Sequence, residues 1–159
     1  MARATKSRFE KDIQSAIPLI RIDPHSADTM LTRIHARARR AGDRKAALWS
    51  LQLLQMLVGV GGEDPKRYLK ICREIVKQDG RPMSWVFLGE AEVGMGNKKG
   101  AIAAFARAFA DSGSDKETAS LASDALTQLG AKPVAAKQTA PKSTRPARKK
   151  PARRAPARH

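Results

Sequence analysis

Arg145, Arg148, Lys149, Lys150, Arg153, Arg154 and Arg158 fall within fourteen residues that contain no acidic side chain. With Lys142 just upstream, they form a set whose chemistry is polyanion binding. Each cation that meets a phosphate releases a condensed counterion, so such contacts are favourable and salt-dependent. No aromatic residue is interleaved, so stacking on single-stranded bases is not indicated, and nothing points to sequence-specific reading. Other reactive side chains are sparse. His25, His35 and His159 lack metal-ligand spacing, and Cys72 is the only cysteine, so neither a metal site nor a disulfide framework is expected. Cys72 sits in YLKICREIV among apolar neighbours, as a buried, inert thiol would. Gly59-Val60-Gly61-Gly62 and Gly94-Met95-Gly96-Asn97-Lys98-Lys99 do not complete G-x4-G-K-[ST] and follow no strand, so both read as helix ends. No serine occupies a nucleophile elbow. Glu90 and Glu92, two apart on a helix, point in different directions and cannot act as a pair. The expectation is a protein without catalytic activity, cofactor, metal or small-molecule substrate.

The elements that must carry these groups follow from charge and hydrophobic spacing. The 159 residues carry a net charge of +16, unevenly spread. All fifteen acidic residues lie between Glu10 and Asp124, so residues 1–130 hold 21 basic against 15 acidic side chains, a net of +6. The last 29 residues hold ten Lys/Arg and no acid, together with five of the nine prolines. That composition forbids a long helix and offers nothing to a core, so residues 131–159 are expected to be a disordered tail. Residues 1–7 read as a basic arm and 8–130 as one helical domain. No run approaches the roughly 18 apolar residues of a membrane helix, and residues 1–25 lack a signal-peptide core. The expected compartment is the cytoplasm.

Periodicity within 8–130 predicts an all-α body of six or seven helices. Phe9, Ile13, Ala16 or Ile17, and Ile20 share a face that Pro18 interrupts. Asp23-Pro24 reads as a turn, with Ser26 or Asp28 as the cap of a helix carrying Met30 or Leu31, Ile34, Ala38 and Ala41. Gly42 stops it, and Asp43 caps a helix over 44–58 with Ala47, Leu51 and Leu54. Pro65 opens a helix ending at Gln78, with Tyr68, Ile71 or Cys72, and Ile75 as its stripe. The segment 82–111 reads as two helices broken at Gly96-Asn97, and Ser114 or Asp115 caps a last one ending at Gly130. Arg33, Arg37, Arg40 and Arg44 recur at i, i+4, i+7 and i+11, one positive stripe if the helix runs on past Gly42.

The spacing of Trp85, Leu88 and Gly89 (W-x2-L-G), then Ala101, Phe105 and Ala108 (A-x3-F-x2-A), with Gly96 at the turn, resembles a tetratricopeptide repeat. Glu92 departs from the pattern, standing where that family usually has an aromatic. A second, degenerate unit aligns at 28–61, with His35 in the place of Gly89. The resemblance implies stacked antiparallel helical hairpins, a short α-solenoid, in which the first helix of each unit lines a groove for a protein partner. Carried over, those positions are Thr29, Thr32, Ala36, Arg39 and Arg40 in one unit and Met83, Val86, Glu90 and Val93 in the other. The tail is similar in composition to those of linker histones and histone-like bacterial proteins. Together these imply a non-enzymatic adaptor whose groove binds a protein and whose tail binds nucleic acid or another polyanion. A nucleic-acid-compacting protein and a small repeat-type chaperone are the alternatives. How residues 48–81 pair is left open between a poor repeat unit and an inserted helix.

Overall fold

The structure, a computed structural model, describes residues 8–133, the side chains of Val60 and Gly61 excepted. The arm 1–7 and residues 134–159, including all eight basic residues from Lys142 to Arg158 singled out above, lie outside the described residues. The elements are α1 (Glu10–Ala16), α2 (Leu19–Ile22), α3 (Pro24–Arg40), α4 (Arg44–Gly61), α5 (Pro65–Gln78), α6 (Pro82–Gly94), α7 (Lys98–Asp111) and α8 (Lys116–Gln128). Among the described residues there is no strand. The one element beyond the expected six or seven is α2, a single turn split from α1 by Pro18.

Short polar side chains start five of these helices. Asp23, Asp43, Asp64, Asn97 and Asp115 each accept a hydrogen bond from the backbone N–H three residues on, which satisfies a donor with no partner inside the helix. At α3 this differs from the sequence expectation, because the cap is Asp23 rather than Ser26 or Asp28. Pro24 takes the first helical position, where its fixed φ suits the helix and its missing N–H costs nothing. Asp28 is thereby free to pair with α5. Gly42 and Gly96 end their helices at φ values of 72° and 70°, a backbone region that Cβ-bearing residues rarely adopt. Helix α4 runs past Val58 to Gly61, and Ala41, expected on the apolar face, is the exposed C-cap of α3.

From α3 to α8 each helix packs on the next, α1 leans on α3 and α4, and α6 reaches past α7 to touch α8. The α6–α7 pair shows why its residues have their sizes. A Cβ on Gly89 would meet the Phe105 ring at 2.7 Å, and Ala101 and Ala108 are fully buried beside Phe105 and Val86. Where α3 carries His35 in place of a small residue, the half-buried ring places Nδ1 3.0 Å from the Ala47 carbonyl oxygen of α4, so its bulk serves a hydrogen bond.

Helix α5 is not a bystander to the pairs around it. Ile71 and Ile75 share a core cluster with Leu31 of α3 and with Leu51 and Leu54 of α4. Leu69 and Cys72 pack with Leu88 and Ala91 of α6 and Ala104 of α7. Three ion pairs fasten it, one of them Arg39 of α3 with Glu74. Arg67 Nη1 donates to Asp28 Oδ2 at 2.6 Å, and Nη2 closes the fork on Oδ1. That bond holds the Asp28 carboxyl below the usual carboxylate range. Arg73 reaches Glu92 on the other side.

Ala101 is 0% exposed. We predict that Ala101→Glu costs about 3–5 kcal/mol, the scale for a buried charge without a partner, and lowers Tm by on the order of 10 °C or more. Thermal unfolding followed by circular dichroism measures this; a Tm within a degree or two of wild type contradicts the packing.

Candidate functional site

Helices α4 and α6 flank α5 and leave a cleft of about 650 Å³ between them. On α4 its wall is Gln52, Gln55, Met56 and Gly59, one face at i, i+3, i+4 and i+7. Tyr68 and Ile75 of α5 form the floor, and Met83, Ser84 and Phe87 of α6 form the far wall. Phe87 and Met56 are large apolar side chains left 37% and 49% exposed. Asp79, in the α5–α6 connection, ties the walls together by accepting from Gln52 Nε2 at 3.5 Å and Arg81 Nε at 2.7 Å. Gly59 lets Tyr68 close in, since a Cβ there would meet Tyr68 Cε2 at 3.0 Å.

Below the floor, Gln55 Nε2 donates to Cys72 Sγ at 3.4 Å. Burial pushes the Cys72 thiol above its ordinary pKa, and burial likewise raises that of the Tyr68 phenol. A thiol in that state holds little thiolate at neutral pH and is a poor nucleophile. What the cleft offers is an apolar, polarisable surface edged by amides and by two charged side chains, Arg81 and Asp115.

The groove positions carried over from the resemblance do not come together. Helix α3 does not pack on α6, so Thr29, Thr32, Ala36, Arg39 and Arg40 form no single groove with the α6 set. Thr32 instead donates to Asp28 at 3.2 Å within the α3–α5 link, and Arg39 Nη1 lies 3.8 Å from Glu74. On α6, Met83 lines the cleft. Val86 must be withdrawn: it is 3% exposed and packed with Ala122 and Leu126, because α8 covers that face of α6. Glu90 and Val93 are exposed but do not line the cleft. Phe87 does, and sequence reasoning missed it because α6, PMSWVFLGEAEVG, is apolar nearly all round and its period does not single out a face. Met56 and Gln52 were legible in principle, being the face of α4 opposite its buried leucines.

The positive stripe is broken. Chain reversal at Gly42 puts Arg33, Arg37 and Arg40 on α3 and Arg44 at the start of α4, all four exposed. The expected polyanion-binding residues of the tail lie outside the described residues. Among the described residues no helix is long and apolar enough to cross a membrane, and no three His, Cys, Asp or Glu side chains gather where a metal could sit. Compared with known proteins, the chain matches no protein-family model, no curated protein and no solved structure.

Cys72 is 0% exposed beneath the cleft. A thiol-specific reagent should therefore leave native protein unmodified over a time in which denatured protein reacts completely. Modification of the native form at the rate of a free thiol contradicts the burial.

Proposed function

We propose that this chain is a non-enzymatic adaptor, built as a short solenoid of stacked helical hairpins similar to tetratricopeptide repeats. Its body takes an apolar segment of a partner protein, and its basic tail holds nucleic acid or another polyanion in the cytoplasm. The observation that carries the reading is the cleft of about 650 Å³ between α4 and α6, in which Met56 and Phe87 stay exposed around an apolar floor. Exposed apolar side chains gathered in a concave site mark docking surfaces, and methionine adapts its shape to varied partners. The repeat spacing of Trp85, Leu88, Gly89, Ala101, Phe105 and Ala108 supports the architecture. Helices α4 and α6 both pack on α5, and the cleft lies between them. The groove of this reading thus lies on α4 and α6, where the carried-over positions put it on α3 and α6.

The tail supports the second half of the reading through composition alone, ten Lys/Arg and no acid in 29 residues. Rigid cleft and charged tail differ in kind, so their ligands should be separable.

The test uses full-length protein and a displayed library of short helical peptides. Peptides selected on wild type should lose at least tenfold in affinity for the double variant Met56→Glu, Phe87→Glu, while duplex DNA affinity changes less than twofold. These two side chains are chosen over Met83 because they are exposed, so the variant should melt close to wild type. Selected peptides that bind the folded variant as well as wild type would overturn the cleft as the docking site.

A further inference from the structure

Arginines in the second half of the described body are all partnered by carboxylates. Arg67 pairs with Asp28, Arg73 with Glu92, Arg81 with Asp79 and Arg107 with Asp111. The α3–α4 corner is different. Arg33, Arg37 and Arg40 recur at i, i+4 and i+7 on α3, so they share a face and span roughly 10 Å along the helix. Arg44 and Lys45 open α4 one tight turn later. Among the described residues, Arg33, Arg40, Arg44 and Lys45 have no acidic partner, and all are exposed. The carboxylates nearest in the chain are engaged elsewhere. Asp43 caps α4 by accepting from the Ala46 N–H, Asp28 pairs with Arg67, and Asp12, from α1, lies 3.5 Å from Arg37.

We infer that this corner of the folded body, Arg33, Arg37, Arg40, Arg44 and Lys45, is a binding surface for the phosphate backbone of a nucleic acid, separate from the basic tail. Guanidinium groups present planar forks of donors that match phosphate oxygens and are not strongly hydrated. Their helical row tracks a line of charge rather than a single anion. An acidic protein partner fits less well, because a protein interface needs apolar anchors at its centre. None of the exposed large hydrophobic side chains, Ile17, Ile22, Met56, Phe87, Val93, Met95 and Leu121, belongs to this corner. The favourable end of the α3 dipole accounts for part of the cation placement at Arg37, Arg39 and Arg40, but it does not extend to Arg33, or to Arg44 and Lys45 at the start of α4, where the dipole disfavours cations. Body and tail then engage one polyanion together, each raising the local concentration of the other's contacts.

The experiment measures affinity of the full-length chain for a short mixed-sequence duplex DNA across a salt series. Wild type is compared with Arg33→Gln, Arg40→Gln, Arg44→Gln combined, and with a control, Lys66→Gln, Lys70→Gln, Lys99→Gln, that removes the same charge from other exposed sites. Three lost phosphate contacts should lower the slope of log affinity against log salt by about 2.7. Between about 50 and 200 mM salt, wild type should then lose roughly 40-fold more affinity than the arginine variant. The control should keep the wild-type slope. An unchanged slope in the arginine variant, or an equal fall in the control, overturns the inference. Exposed Arg→Gln changes should leave Tm nearly unaltered, which the same samples report.

Discussion

The Glu92 carboxylate is the constraint on which the centre of the molecule depends. Its side chain is 7% exposed, and a carboxylate so far from water must be paired and hydrogen-bonded to remain charged. Arg73 of α5 supplies Nη2 at 2.8 Å and Nε at 3.2 Å to one oxygen, and Asn97 Nδ2 donates to the other at 2.7 Å. Asn97 is also the cap of α7, accepting from the Gly100 N–H at 3.1 Å. One side chain therefore joins the start of α7 to the end of α6, and through Glu92 to the middle of α5. Gly100 is bound into the same arrangement, since a Cβ there would meet Asn97 Nδ2 at 2.5 Å and Glu92 Cδ at 3.0 Å. Glu92 thus acts through an ion pair that also fixes the neighbouring helix. Such a pair need not add net stability over an apolar one. Removing Arg73 leaves the buried Glu92 carboxylate without its charge partner, which is costly, whereas Arg73 is half-exposed and without Glu92 can be solvated.

Much of this fold was legible because the signals are local. Asp43 and Asp115 announce helix starts, Gly42 and Gly96 announce stops, and Ala101, Phe105 and Ala108 sit at a spacing that only a packed helix face explains. Gly89 was legible as a small residue of the W-x2-L-G spacing, but not that the Phe105 ring is what overlies it. What escaped was long-range. Asp28 pairs with Arg67 across 39 residues and Arg73 with Glu92 across 19, and no periodicity encodes a contact at such separation. The cleft escaped for a related reason. Which face of α6 stays open depends on α8 covering Val86, a fact about a helix that starts thirty residues later. Even on α4 polarity is an imperfect guide, since Gln55 is buried against Cys72; on α6, which has no polar side, tertiary packing decides.

The allocation of carboxylates links the interior to the surface. The body has fifteen acidic residues, and most are committed to holding the fold. Asp23, Asp43, Asp64 and Asp115 cap helices, while Asp12, Asp28, Glu74, Asp79, Glu92 and Asp111 meet arginines or lysines. At Asp23 and Asp115 the capping hydrogen bonds, from Ser26 and from Thr118, pull the carboxyl below its ordinary range, so these groups remain ionised well into the acid range and keep their caps charged. A carboxylate used in this way neutralises charge locally at a helix end or between two helices. It is not available to screen a distant row of cations.

The surplus positive charge of the body must therefore appear where no cap or inter-helix link calls for an acid, and the outer face of α3 is such a place. Its inner face is apolar, with Ala27, Leu31, Ile34 and Ala38 buried, and its one strong acidic group, Asp28, is turned to Arg67. The rest of the helix is left to arginine, whose long stem can lie on the surface while the head stays in water. The cleft between α4 and α6 has a different character: its walls are mostly apolar and are held by amides and by the Asp79–Arg81 pair, with Asp115 at its edge. The exposed arginines of α3 act on their surroundings over a distance set by the Debye length, about 8 Å at physiological salt, whereas the cleft lining is mostly apolar. The same internal links that fix helix register thus sort the surface into a mostly apolar cleft and a positively charged face, two surfaces that differ in kind.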